Sequence, residues 1–299
     1  MTLQNYLHAS RSLAKLSSLG DIRVSNANEG VVSKLLNVVC DHDTSSDQIY
    51  SATLVATAPT TPMVPVQGGV LPKSSQMAGQ KVTNFEIGQY PVTLEEWQGV
   101  RKWAVENGFD ISEGTGGGPS HPVVEINWYD CVKWCNAKSE MEGLLPFYGV
   151  SGGSGSFPKG GFGSSESNNV VCLANANGYR LPTEMEWEWA ARGGHKSKGY
   201  TFSGGNSLDA VGWYRHNSLN STPSVGQKAP NELEIYDMAG NVLEWVFDPF
   251  PHYESRKSRK VRGGEYGTPL EYHMISWREG NIDPAECYSE LGFRLARSL

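Results

Sequence analysis

The chain has no cysteine cluster, no basic stripe and no long apolar run, and each absence removes a class of function. Its five cysteines, Cys40, Cys131, Cys135, Cys172 and Cys287, are odd in number and scattered over 299 residues. That argues against a disulfide scaffold. Cys131 and Cys135 fall in WYDCVKWCNAKSE and read as two small buried side chains on one helix face. No CxxC or HxxxH accompanies them, so they do not read as a metal pair. The net charge is -7 and no run of Lys or Arg tracks along the chain, which excludes a phosphate-tracking nucleic-acid binder. No apolar run approaches the ~20 residues that span a bilayer, so no transmembrane segment is expected. The first residues, MTLQNYLHASRSLAKLSSLG, hold no continuous apolar h-region. A cell-surface or secreted location is expected if a leader precedes them.

Glycine and large aromatics are what the chain does have. It carries 34 Gly, 9 Trp and 13 Tyr, a mixture that suggests long irregular loops pinned by buried rings. The expected class is α+β and loop-rich rather than a helical bundle. Residues 1–60 contain none of the tryptophans and are rich in Ser, Asn, Thr and Ala. They read as an N-terminal arm of uncertain order in which Leu13, Leu16 and Leu19 could mark a short amphipathic helix. Residues 61–299 read as the folded domain. At the junction, ATAPTTPMVP reads as an extended linker or an edge strand.

Local signals are strong beyond that point. FEIGQYPVT reads as a strand that stops at Pro91. Thr93 and Glu96 make a capping box for the next helix, with Leu94, Trp97, Val100 and Ala104 as its apolar stripe and Gly108 as its C′ residue. Asn127 reads as the N-cap of a second helix, with Asp130 in its first turn and Gly143 closing it. GVSGGSGSFPKGGFGSSESNN, residues 149–169, is too polar to bury a core and reads as a surface excursion. Thr183 and Glu186 make a second capping box, for a helix that turns Trp187 and Ala190 inward. The tail closes on VRGGEY and LGFRLARS, read as a hairpin-like pair.

Six segments in order, IGQYPVTLEEW, HPVVEINWYDCVKWCN, NGYRLPTEMEWEWAARGG, IYDMAGNVLEWV, VRGG and LGFRLARS, resemble the formylglycine-generating enzyme (sulfatase-modifying factor) family. The likeness runs from about Val64 to Ser298. It implies a variant of the C-type lectin fold, with small twisted antiparallel sheets, few helices and much irregular loop. Members of that fold oxidise a sulfatase cysteine with copper(I) and O2, form sulfoxides with iron, or display ligand-binding side chains in the variable proteins of diversity-generating retroelements.

The residues discriminate among these roles. Copper(I) is soft and wants two thiolates. The family's two copper-binding cysteine positions, counted from Gly264 without gaps, hold Thr268 and His273, so no copper is expected. Two neighbouring site positions also differ, holding Glu265 and Leu243. The iron-dependent role needs a histidine triad from a preceding domain, and the first 60 residues hold only His8 and His42. Display needs no reactive group. The expected ligand-binding face comprises Tyr266, Gly267, Thr268, Leu270, Tyr272, His273, Ser276, Glu279 and Asn281. Tyr266, Tyr272 and His273 are expected to be exposed, and Trp277 to be core. Tyr and Trp supply large contact area at low entropy cost, while Ser, Thr and Asn adapt their hydrogen bonds. The expected partner is a protein or other macromolecule. Cys287 reads as a half-buried loop residue. An enzyme of the same family with atypical chemistry is the alternative. The resemblance also implies a structural Ca2+, with carboxylates from Asp237 and Glu244 and carbonyls from Gly240 and Val242. A structural turn in which Asp237 and Asn241 bond local amides is the other reading of that segment.

Overall fold

The computed structural model describes residues 60–151, 159–160, 170–249 and 258–299, apart from the side chains of Glu279 and Asn281. The chain divides after Ala56 into two units, and the first lies outside the described residues. So do Leu13, Leu16 and Leu19, Cys40, and most of the excursion at 149–169.

Two four-stranded sheets carry the second unit. The first runs in the order β1 (Met63–Val66), β4 (Phe85–Gly88), β12 (Ala296–Ser298), β7 (Tyr179–Arg180), with every pair antiparallel. The Pro-containing β1 stands at its edge, where a missing N–H costs no ladder bond. The second sheet is ordered β10 (Glu279–Ile282), β9 (Arg259–Arg262), β8 (Leu243–Pro249), β11 (Leu291–Phe293). Here β11 runs parallel to β8. Two small ribbons, β2 (Gly69–Val70) with β3 (Lys81–Val82) and β5 (Tyr148–Val150) with β6 (Val170–Cys172), complete the strands among the described residues. The expected pairing of VRGGEY with LGFRLARS is corrected: β9 pairs with β8 and β10, while LGFRLARS splits between the two sheets. Arg294 and Leu295 form the crossing, and a local reading of the two segments could not see that the chain changes sheet there.

Helices form where the caps require. Helix α1 (Leu94–Glu106) begins at Thr93, whose hydroxyl accepts from the Glu96 amide, and Gly108 follows it at φ 86°. The box is only half made, because the Glu96 carboxylate turns away to accept from Thr61 and to pair with Lys138. Helix α2 (Trp128–Met141) starts at Asn127, which accepts from the Asp130 amide, and ends before Gly143 at φ 71°. Helix α3 (Glu184–Ala191) has the complete capping box of Thr183 and Glu186.

The rings do the packing. Trp97 and Trp134 stack 5.6 Å apart with Phe293 edge-on to both. Cys131 and Cys135 are buried in the same cluster, and burial raises both thiols' pKa, so they behave as small apolar side chains. A second cluster gathers Trp187, Phe85, Ile87 and Ile275. Between the sheets Arg294 and Glu244, both fully buried, pair at 2.8 Å. Arg294 also donates to the carbonyls of Gly88 and Tyr236, and Trp187 donates to Glu244 at 2.7 Å. A buried ion pair holds together only when its remaining hydrogen-bonding capacity is met, and here it joins β8 of one sheet to the end of β4 of the other. No helix among the described residues is long and apolar enough to cross a membrane.

Candidate ligand-binding face

The segment after β9 turns sharply at Gly263 and Gly264, at φ 105° and 74°. A Cβ on Gly264 would stand 2.9 Å from the Tyr272 carbonyl and 2.8 Å from the His273 ring, so only glycine lets the loop fold back this closely. Residues 265–268 then close a turn. The Thr268 amide and hydroxyl both donate to the Glu265 carbonyl, at 3.3 and 3.1 Å, and the Glu265 carboxylate accepts from the Gly267 amide. The Tyr266 amide donates to the Asn241 carbonyl at 3.1 Å. A short 3-10 turn, Leu270–His273, follows.

His273 is buried, not exposed as expected. Its Nδ1 lies 3.0 Å from the Pro269 carbonyl and its Nε2 3.0 Å from the Glu265 carbonyl. Burial lowers its pKa against the pull of those carbonyls, so at neutral pH the ring is uncharged and donates to one of the two. It is a pillar beneath the loop rather than a contact on it. The reverse correction applies to Trp277, which is 37% exposed. Its ring meets Tyr272 edge-on at 4.7 Å. Ile275 is the buried anchor instead, and its amide donates to the Thr201 carbonyl.

The other expected face residues divide as follows. Leu270 and Ser276 are exposed; Tyr266, Gly267, Thr268 and Tyr272 are half-buried. Glu279 and Asn281 lie on β10, with Glu279 opposite Val261. Just before them, Arg278 clamps the segment to the framework through Glu184 on α3. Glu184 also holds Lys260 and Arg262. Burial alone would raise its pKa, but Arg278 and Lys260 hold it down to about 2. Cys287 is exposed rather than half-buried.

Soft-metal chemistry finds poor ligands at the two copper positions. The Thr268 hydroxyl is spent on its own turn and the His273 ring on loop carbonyls. Among the described cysteines Cys131 and Cys135 lie inside α2, while Cys172 and Cys287 are exposed, and all four are free.

The proposed calcium segment is buried and tightly turned. Asp237, Gly240 and Asn241 all have positive φ, and a Cβ on Gly240 would fall 1.9 Å from the Trp213 carbonyl. Asp237 accepts from the Gly226 amide at 2.7 Å through one oxygen. Its other oxygen and the Asn241 side-chain oxygen are buried without a partner. Burial lifts the Asp237 pKa to about 6, against the Gly226 amide and Arg294. Two orphaned hard oxygens in one turn suit a hard cation. The Glu244 carboxylate, by contrast, is engaged by Arg294 and Trp187. Asn241 was not among the residues expected to bind; its signal in the sequence was an Asn inside a tight Gly-containing turn.

The fold and this loop define a class. The chain belongs to the sulfatase-modifying factor enzyme 1-like domain family, whose model matches residues 51–299. It is 33% identical over 260 residues to the "Chaperone protein LppX" of Paenibacillus barcinonensis, covering 79% of this chain and 89% of that one. The crystal structure of CarF superposes with a TM-score of 0.71 at 28% identity, covering 80% of this chain and 99% of the other. Treponema denticola variable protein 1 superposes at 0.66 with 29% identity, covering 79% and 95%.

Proposed function

We propose that this chain is a non-catalytic ligand-binding protein that displays side chains from the 266–281 segment, in the manner of the variable protein of a diversity-generating retroelement. One observation carries the reading. The two positions where the family grips a soft metal hold Thr268 and His273, both committed to the loop's own bonds, while the Tyr272–Trp277 pair opens outward beside them. Aromatic pairs on a rigid loop are suited to recognition of macromolecules. A relative named as a chaperone and a structural neighbour named as a variable protein support a binding role.

The deciding experiment reads the locus. A reverse-transcriptase gene and a template repeat matching the coding sequence of this segment, differing only at adenines, are expected. Their absence removes the diversification and leaves binding as the narrower statement. Incubation with copper(I), O2 and a cysteine-containing sulfatase peptide is expected to leave the peptide unchanged by mass; formation of the aldehyde overturns the non-catalytic reading.

A structural Ca2+ is part of the same proposal. The side chains of Asp237 and Asn241 would hold it, with carbonyls of Gly240 and Val242. Bound there, the ion would neutralise a buried carboxylate and fix the turn against which the Tyr266 amide is bonded. Chelation is expected to lower the melting temperature of the wild type and leave Asp237→Asn unmoved. An unchanged wild-type melt with no metal by elemental analysis rejects the ion.

A further inference from the structure

We infer that the protein has a second interaction surface, a lysine-rich seat formed by the β2–β3 ribbon and the turn after α3, and that it rests on an anionic lipid surface. The inference is independent of the ligand-binding reading above. The chain has a net charge of -7 and 32 acidic residues, yet residues 60–85 and 189–208 hold no Asp or Glu. They hold Lys73, Lys81, Lys196 and Lys198, all exposed, with the exposed His195 among them. Charges segregated in this way create a local field opposite in sign to that of the whole molecule.

The two segments are far apart in sequence and are joined by the fold. The Trp189 indole donates to the Gln67 carbonyl at 2.9 Å, the His195 Nε2 lies 2.7 Å from the Gly68 carbonyl, and Arg192 donates to the Ser74 hydroxyl at 3.4 Å. In the ribbon Gly69 stands opposite Val82, and Val70 opposite Lys81. Opposed residues share a face, and successive residues alternate between faces. A Cβ on Gly69 would fall 2.4 Å from the Trp189 ring, and Val82 is buried in the same cluster as that ring. That side of the ribbon is therefore packed, and the other presents Val70, 55% exposed, beside Lys81. Neighbouring carboxylates are spent elsewhere. Glu184 and Glu188 are buried against Lys260, Arg262, Arg278 and Arg192, and Glu186 against Arg180. Glu232 is half-buried and accepts from the Lys198 amide at 3.0 Å, which leaves the lysines in excess.

The kind of charge selects the occupant. Lysine is a compact charge on a flexible stem and suits a diffuse anionic surface, whereas the arginine fork suits a fixed carboxylate or phosphate. The arginines bordering the seat, Arg192 and Arg278, are already turned to Glu188 and Glu184. Protein interfaces are depleted in lysine and enriched in arginine, and recognition of nucleic acid also draws on arginine forks. A bilayer bearing anionic headgroups fits the residues present. It attracts lysines that come within a Debye length and receives a small aliphatic side chain at the headgroup boundary. Such a contact needs no membrane-spanning segment and is reversible and salt-sensitive.

Sedimentation of the full chain with vesicles tests the seat. The protein is expected to pellet with vesicles of phosphatidylcholine mixed with phosphatidylglycerol, not with phosphatidylcholine alone, and to be released by high salt. Lys73→Gln and Lys196→Gln are each expected to lower the partition coefficient about fivefold. Lys102→Gln, at an exposed position of α1, is expected to leave it within about twofold of wild type. Unchanged melting temperatures establish that the variants are folded. No more binding to mixed vesicles than to neutral ones overturns the inference. So does mixed-vesicle binding that neither seat variant reduces, which puts the contact elsewhere on the chain. A labelled oligoglutamate or oligothymidylate that binds through Lys73 and Lys196, while mixed vesicles at the same concentration of negative charge do not, overturns it in favour of that polyanion.

Discussion

Arg294 and Trp277 belong to the same final stretch of chain but to opposite kinds of structure. Arg294 is sealed between two sheets and bonded to Glu244, Gly88 and Tyr236. Trp277 stands partly in water and touches Tyr272. The framework is held by side chains whose partners are specified atom by atom. The loop that carries the face is held mostly through its backbone: carbonyls of Glu265 and Pro269 on His273, the Tyr266 carbonyl on Ser218, the Ile275 amide on Thr201. A loop fixed by main-chain bonds can change outward side chains without changing shape, which is what a display surface requires.

That contrast can be broken by substitution, beginning with the framework. Glu244→Ala leaves the buried Arg294 guanidinium without its counter-charge and is expected to cost about 3–5 kcal/mol in chemical denaturation. Next comes the clamp at Arg278. Glu184 has its pKa held at about 2, below its ordinary value of 4.5, so its contribution is complete above pH 4.5 and lost as pH falls toward 2. The loss is on the order of 3 kcal/mol. Acid titration of the melting temperature should therefore show a drop in that window that Glu184→Gln lacks. Within the loop, His273→Ala removes the pillar and is expected to cost about 1–3 kcal/mol, through the space the buried ring leaves and the hydrogen bond it gives up. The smallest effect is expected on the outer side, where Trp277→Ala should change stability by less than about 1 kcal/mol. If Trp277→Ala destabilises as much as His273→Ala, the division between pillar and face is wrong.

Much of the framework could be read in advance because its signals are local. Thr93, Asn127 and Thr183 cap helices where their side chains meet the third amide on, and Gly108 and Gly143 end two of them in left-handed backbone. Those preferences act over a single turn and need no partner from elsewhere. The face was only partly legible. Tyr272 and His273 are neighbours of similar size, and which one turns inward depends on where Pro269 and Glu265 present their carbonyls. Trp277 looked like core because tryptophan is usually buried, yet Ile275 takes the inner position. Glu96 left its capping box because Lys138 and Thr61 come from distant parts of the chain.

The sequence by itself determined the family and the helix termini, because these depend on residue identity and short spacing. Tertiary structure alone decided that the chain crosses from one sheet to the other at Arg294, that Glu244 is engaged there by Arg294 and Trp187, and that Glu96 leaves its capping box for Thr61 and Lys138. Each of those depends on groups far apart in the chain meeting at hydrogen-bond distance, a property that no local preference encodes.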